Sequence, residues 1–154
     1  MIYRIINVFD NKRRKQILEQ SKIFMEDSEA FEDGKFFPGR QTRNNLHHRI
    51  PFAASFERRI GKFTGLNLAV INSWANWTNG NKRDIAWHSH PYPYTGVYYL
   101  KTFPFFSNGT LFREKFVKAP QNSLLLFPGH MEHTAPSSPL RVDRYTLAME
   151  FEIR

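Results

Sequence analysis

Cysteine is absent from the 154 residues of this chain. Disulfides, thiolate metal sites and cysteine nucleophiles are therefore excluded, and a metal ion would have to be held by His, Asp, Glu or carbonyl oxygen. No run approaches about eighteen consecutive apolar residues, so no membrane-crossing segment is expected. The opening stretch from Met1 to Ile6 has no long apolar region followed by a small-residue cleavage site, so no secretory leader is expected, and a reducing cytoplasm fits. Internal repeats and low-complexity linkers are also lacking. Acidic residues are outnumbered: 14 Asp and Glu stand against 22 Lys and Arg, a formal net charge of +8.

The aromatic content is high. Fifteen Phe within a 41% apolar composition are ample for a packed core, and a chain of this length suits one domain. The basic residues concentrate early, at Lys12 to Lys15 and then at Arg40, Arg43, Arg49, Arg58 and Arg59. Such a surface attracts anions and could touch nucleic acid, but solvated helix faces account for it equally simply.

Residues Tyr3 to Phe9 read as a short strand. Asp10 or Asn11 can cap a following helix, in which Ile17, Leu18, Phe24 and Met25 form an apolar stripe. Asp33-Gly34 and Pro38-Gly39 break the pattern. Pro51 suits the first turn of a second helix, with Phe52, Phe56, Ile60 and Phe63 facing inward and Gly61 and Gly65 marking its end. Strands are then predicted at Leu68 to Trp77, Ile85 to His90, Gly96 to Thr102, Gly109 to Lys118, Ser123 to Phe127 and Arg141 to Ile153, with a turn at Thr78 to Asn81. A helical front followed by many short strands points to a sandwich or barrel with the helices on one outer face.

His88 and His90 stand two apart in a predicted strand. Side chains alternate across a strand, so both face one side, about 7 Å apart at the backbone, and could converge on one metal ion. Pro91 holds His90 extended. His133 follows the apolar strand and the Pro128-Gly129 turn, which could swing it to the mouth of the sheet; His130 is its rival. Each histidine taken alone is equally well an ordinary paired or loop residue. Arg144 lies on a mostly apolar strand and Thr146 shares its face. A buried guanidinium must be paired, either with an internal acid or with a carboxylate ligand gripped in bidentate fashion.

Taken in order, Trp87-His88-Ser89-His90-Pro91, then His133, then Arg144 eleven residues on with Thr146 beside it, resemble the Fe(II)/2-oxoglutarate-dependent oxygenases. Gly96-Val-Tyr-Tyr-Leu-Lys, Gly109-Thr-Leu-Phe and Leu126-Phe-Pro-Gly-His-Met-Glu-His133 resemble the strands that connect those motifs, and Phe37-Pro-Gly-Arg40 resembles a segment of small bacterial and phage members. The resemblance implies a mainly β double-stranded β-helix, a jelly-roll or cupin-like barrel with N-terminal helices. It would form a single domain over 1–154, with a helical front and first strand over 1–66 and the jelly-roll core over 67–154. It implies a hydroxylase working in bacterial or phage-infected host cytoplasm, with Fe(II) on His88, His90 and His133 and with 2-oxoglutarate and O2 as cosubstrates. Arg144, Thr146 and Tyr99 would hold the far carboxylate of 2-oxoglutarate.

One departure stands out. The family places a carboxylate where this chain has His90, and a His-x-His-Pro variant is the nearest pattern. A three-His set leaves the metal its full charge. Asp84 and Glu132 are the carboxylates close by in sequence, neither at the motif's spacing. The basic front would favour an anionic substrate; the aromatic residues Trp74, Trp77, Tyr92, Tyr94, Phe103, Phe105 and Phe106, together with Asn76, could line a pocket for it or fill core, with Pro91 to Thr95 as a lip. The rivals to the oxygenase are a cupin-like three-His metalloprotein without 2-oxoglutarate and a basic nucleic-acid-binding module. Nothing in the sequence fixes an oligomeric state.

Overall fold

The computed structural model describes residues 1–27, 39–80, 86–105, 108–136 and 141–154. Strand β1 (Tyr3–Ile5) is shorter than its apolar pattern suggests. Asn7 adopts φ 50°, and the backbone N–H groups of Val8 and Phe9 turn to the carbonyl and side-chain oxygens of Asn122 instead of extending the strand. Helix α1 (Asn11–Ile23) begins at Asp10, whose carboxylate accepts from the Arg13 N–H at 2.7 Å. Two-residue strands β2 (Glu26–Asp27) and β3 (Arg40–Gln41) and a 3-10 turn at Leu46–His48 follow. None of the three has a periodicity long enough to read from sequence.

Helix α2 (Ala53–Thr64) starts two residues after Pro51, so that proline precedes the helix and does not occupy its first turn. Its C-terminus closes on Gly65, at φ 79°, whose N–H bonds the Gly61 carbonyl; Gly61 lies inside the helix. Phe52, Phe56 and Ile60 are fully buried, but Phe63 is 57% exposed, beyond the edge of the inward stripe.

The remaining chain is strand: β4 (Leu68–Asn79), β5 (Tyr94–Lys101), β6 (Gly109–Phe112), β7 (Phe116–Lys118), β8 (Leu124–Pro128), β9 (His133–Thr134) and β10 (Asp143–Ile153). The expected strand at 109–118 is a hairpin, because Phe112 and Lys115 bond each other's backbone and reverse the chain. β4 runs through the expected turn at Thr78, and the rest of that turn reaches residues outside the described ones. The predicted strand ending at His90 is, where described, only a bridge between His88 and His133.

The strands form two antiparallel sheets, of order β1-β8-β5-β10-β4-β3-β2 and β7-β6-β9. One face of the large sheet, with Tyr98, Leu100, Leu147, Met149 and Phe151, packs under Ile17, Leu18, Phe52, Phe56 and Ile60 of the helical front. The opposite face meets the small sheet through Tyr99, Leu125 and Phe127 against Phe112, with the Phe112 and Phe127 rings edge-on at 4.9 Å. Among the described residues no helix is long and apolar enough to cross a membrane.

Two register slips shape the large sheet. Between β10 and β5 the pairing passes from Tyr145–Lys101 to Thr146–Tyr99, leaving Leu100 unopposed. Its carbonyl accepts from Nη1 of Arg14 at 2.7 Å, which gives this buried cation a polar partner inside the core. Between β10 and β4 the pairing passes from Glu150–Asn72 to Phe151–Val70, leaving Ile71 unopposed. Both bulges sit on the neighbours, so β10 itself keeps its alternation.

Gly129 has no room for a side chain: a Cβ there would stand 2.0 Å from the Tyr92 carbonyl oxygen and 3.0 Å from that of His90. Its own carbonyl accepts from the His90 N–H at 2.8 Å. Gly129→Ala is expected to destabilise the fold by about 1–3 kcal/mol and to displace the His90 segment. Urea denaturation at constant slope checks the first effect, and weakened metal binding checks the second.

Candidate metal centre

Three histidines meet beside β9 of the small sheet: His133 is on it, His88 bridges to it, and His90 follows two residues later. The backbones of His88 and His133 exchange both hydrogen bonds, at 3.1 and 2.9 Å, which sets their side chains next to each other. The ring centroids of His88 and His133 lie 4.3 Å apart, those of His88 and His90 5.1 Å, and those of His90 and His133 5.3 Å. One potential ligand atom from each lies within 4.8 Å of the others. His130, the sequence rival of His133, points to solvent, while His133 is only 4% exposed.

Each ring is oriented through its other nitrogen. Nδ1 of His88 lies 2.7 Å from the Ala86 carbonyl, Nδ1 of His133 2.9 Å from the Met131 carbonyl, and Nδ1 of His90 2.7 Å from Oε1 of Glu150. Carbonyl and carboxylate oxygens accept, so Nδ1 carries a proton in all three, and in the neutral tautomer Nε2 bears the lone pair. Burial pushes the His133 imidazole down to about 4; the neighbouring His88 and His90 add to this and the Met131 carbonyl opposes it. Burial lowers His88 as well, against the pull of the Ala86 carbonyl and with a smaller contribution from His90. Neutral, convergent imidazoles of this kind suit a first-row divalent cation, and three ligands grouped on one side leave coordination positions open.

The histidines form one wall of a cavity of about 900 Å³ that Arg144, Thr146, Tyr99 and Thr110 also line. The Arg144 guanidinium is largely buried, and its Nη1 donates to the Pro136 carbonyl at 3.2 Å. Burial lowers its pKa and the Tyr99 phenol opposes that. Among the described residues no carboxylate pairs with it. Tyr99 hydrogen-bonds Thr110 at 2.7 Å, and burial raises its phenol to about 12, so it keeps its proton. Thr95, also on the cavity wall, has a buried hydroxyl with no partner.

Sequence reasoning missed Glu150. It is 5% exposed and holds His90 from β10, sixty residues away in the chain. Of the two carboxylates near the motif in sequence, Glu132 pairs with Arg113 at 2.8 Å on the surface, and Asp84 lies outside the described residues. The substrate residues sort unevenly. Trp74 and Asn76 line the cavity, whereas Trp77 and Tyr94 pack against the main core and Phe105 is 84% exposed. The Phe103 and Phe105 rings meet edge-on at 5.3 Å, and Phe106 and the first two residues of the Phe37-Pro-Gly-Arg40 segment lie outside the described residues. Within the expected lip from Pro91 to Thr95, only Thr95 reaches the cavity. The rim comes instead from Thr42, Arg43, Asn44 and Trp87, with Arg113 stacked 4.1 Å from the Trp87 ring centre.

The depressed His133 makes the metal-free protein acid-sensitive. Between pH about 6.5 and about 4 the unfolded chain takes up a proton that the folded chain refuses, so stability falls as the pH drops through that interval. The loss at this residue is about 3 kcal/mol. Urea unfolding of metal-free protein at pH 7, 5.5 and 4.5 should show it, and His133→Gln should lose less across the same range.

No family model and no curated protein matches the sequence. Solved structures do match in fold. The collagen prolyl hydroxylase of Paramecium Bursaria Chlorella virus-1 superposes with a TM-score of 0.71 at 8% identity, over 99% of this chain and 90% of that one. A 2OG-Fe(II) oxygenase family oxidoreductase from Burkholderia pseudomallei gives 0.68 at 13%, over 98% and 85%. EctD from S. alaskensis, solved with bound Fe, gives 0.71 at 11%, over 99% and 72%. At these identities the likeness is one of fold, and the fold is the mainly antiparallel double-stranded β-helix of the 2-oxoglutarate–iron(II) oxygenases.

Proposed function

We propose that this chain is an Fe(II)/2-oxoglutarate-dependent oxygenase, with His88, His90 and His133 as metal ligands. The observation that carries the proposal is Arg144: a largely buried guanidinium without a carboxylate partner among the described residues, opening onto the same cavity as three convergent imidazoles. A buried cation of this kind calls for an anionic ligand, and a dicarboxylate that also reaches the metal supplies one. When bound, iron(II) and 2-oxoglutarate would activate O2 and couple loss of CO2, giving succinate, to oxidation of the substrate.

The chain's own groups orient and exclude. Arg144 and the hydroxyls of Thr146 and Tyr99 would hold the far carboxylate, with Tyr99 steadied by Thr110. Val97 and Ala148 keep that wall apolar and small, leaving room for the oxo acid. The rest of the cavity, toward Trp74, Asn76, Arg43 and Trp87, would take the substrate. No acidic side chain is among the described lining residues, which favours a neutral or anionic substrate. Much of the basic front is engaged within the chain: Arg4, Arg13 and Arg59 bond carbonyls, and Lys22, Arg40 and Arg43 pair with carboxylates. That favours a solvated surface over a nucleic-acid platform.

His90 in place of a carboxylate is the observation that favours a second reading, a three-His metalloprotein that does not use 2-oxoglutarate. Anaerobic titration of metal-free protein with Fe(II), followed by 2-oxoglutarate, separates the two. The oxygenase should develop a weak visible charge-transfer band on adding the oxo acid. His133→Ala should abolish it, and Arg144→Ala should weaken 2-oxoglutarate binding roughly 10- to 100-fold, the worth of a charge-assisted pair. Metal binding without any band would favour the second reading.

A further inference from the structure

The acidic group of this centre is present but displaced. Oε1 of Glu150 lies 2.7 Å from Nδ1 of His90, and Oε2 accepts from Nδ2 of Asn72 at 2.9 Å. Asn72 is in turn fixed, because its Oδ1 accepts from the backbone N–H groups of Asn45 (3.2 Å) and Ser73 (2.9 Å). Glu150 and Asn72 are directly opposed across β10 and β4, immediately before the bulge at Ile71. No Lys or Arg pairs with Glu150 among the described residues; its ionic partner is His90. A carboxylate this deeply buried is costly without a positive charge to answer it. The Nδ1–H of an imidazole whose Nε2 binds a cation provides that charge.

We infer that Glu150 is a positioning and charge-compensating residue acting through His90, supplying across the imidazole ring the negative charge that an Asp or Glu ligand would supply directly. A divalent ion with three neutral imidazoles and Glu150 carries the same net charge as one with two imidazoles and a bound carboxylate. The difference is that all three ligand atoms are nitrogen and the acid stays out of contact with the metal. Hydrogen bonding to the carboxylate also fixes the His90 ring and raises its donor strength. The inference rests on the metal-binding half of the function proposed above and is independent of 2-oxoglutarate.

The test is Glu150→Gln, whose side-chain carbonyl can still accept from Nδ1 but whose amide N–H groups then meet Nδ2 of Asn72 donor to donor; it removes the charge and loosens this contact, and Asn72→Ala, which loosens the contact alone, is the control. Two readouts are taken on the full chain. Affinity for Co(II) is measured by competition with a chromophoric chelator, with the Co(II) absorption spectrum as a record of geometry, and the Fe(III)/Fe(II) midpoint potential is measured by spectroelectrochemistry. Loss of the charge should weaken metal binding about 10- to 100-fold. It should raise the midpoint, by about 59 mV for each tenfold by which Fe(III) binding falls more than Fe(II) binding. Glu150→Asp should restore part of both, and Asn72→Ala, which leaves the charge and loosens its support, should weaken binding with a smaller change in potential.

An unaltered midpoint in Glu150→Gln, with affinity within twofold of native, would overturn the inference. So would equal potential shifts in Glu150→Gln and Asn72→Ala, which would mark a purely structural role. If Glu150→Gln does not fold, the comparison of native, Glu150→Asp and Asn72→Ala decides. A midpoint that tracks the loosening and not the shortening of the acid counts against charge compensation. Adding 2-oxoglutarate to native Fe(II) protein in the same series keeps the two proposals apart, since a missing charge-transfer band with an intact Glu150 effect defeats only the oxygenase assignment.

Discussion

The alternation of β10 is the constraint on which the rest of the molecule depends. It is paired along its length on both sides, to β4 and to β5, so its two faces cannot exchange without breaking two ladders. Leu147, Met149 and Phe151 go under the helical front, Arg144, Thr146 and Ala148 go to the cavity wall, and Glu150 goes behind the His90 ring. Six residues of strand hold Arg144 and Glu150 about 20 Å apart. One strand thus supplies a cation at one end of the site and an anion at the other. The two bulges on its neighbours fall beside these positions, Leu100 next to Tyr99 and Ile71 next to Asn72, so the adjoining strands adjust to β10.

Desolvation does complementary work at the two ends. Around His88 and His133 it disfavours the protonated imidazole and leaves nitrogen lone pairs directed at one another. Around Arg144 it leaves a group that stays charged in any protein environment with few polar neighbours. The histidine end lacks a cation and the Arg144 end lacks an anion, and under the proposed function a chelating oxo acid on a divalent ion would answer both deficits together.

The sequence showed these features unevenly, for physical reasons. The helical front was visible because Asp10 caps α1 and Gly65 ends α2, and such capping is local chemistry. Spacing put His88 and His90 on one face, and the grouping of His133 with them came from the resemblance to the oxygenases. The strand expected through His88 and His90 is replaced by a single backbone bridge, yet both rings still reach the same centre because His133 and Gly129 bond their backbones directly. Glu150 was invisible, since it reads as one more residue of an alternating strand and acquires its meaning only by pairing with His90 sixty positions away. The cavity rim was misjudged for a similar reason: Arg43 and Asn44 follow a two-residue strand that propensity cannot register.

The link between His90 and Glu150 also restricts how such a centre could arise by single substitutions. A carboxylate appearing first at position 150 would be buried with only Asn72 to answer it, and a histidine replacing an acidic ligand first would leave the ion short of negative charge. The path of least cost begins with neither. An amide at position 72 can exist harmlessly beside an uncharged neighbour, and once present it lowers the barrier to burying an acid across from it. Under the proposed function, an amide at position 72 would therefore be what permits the buried acid at position 150.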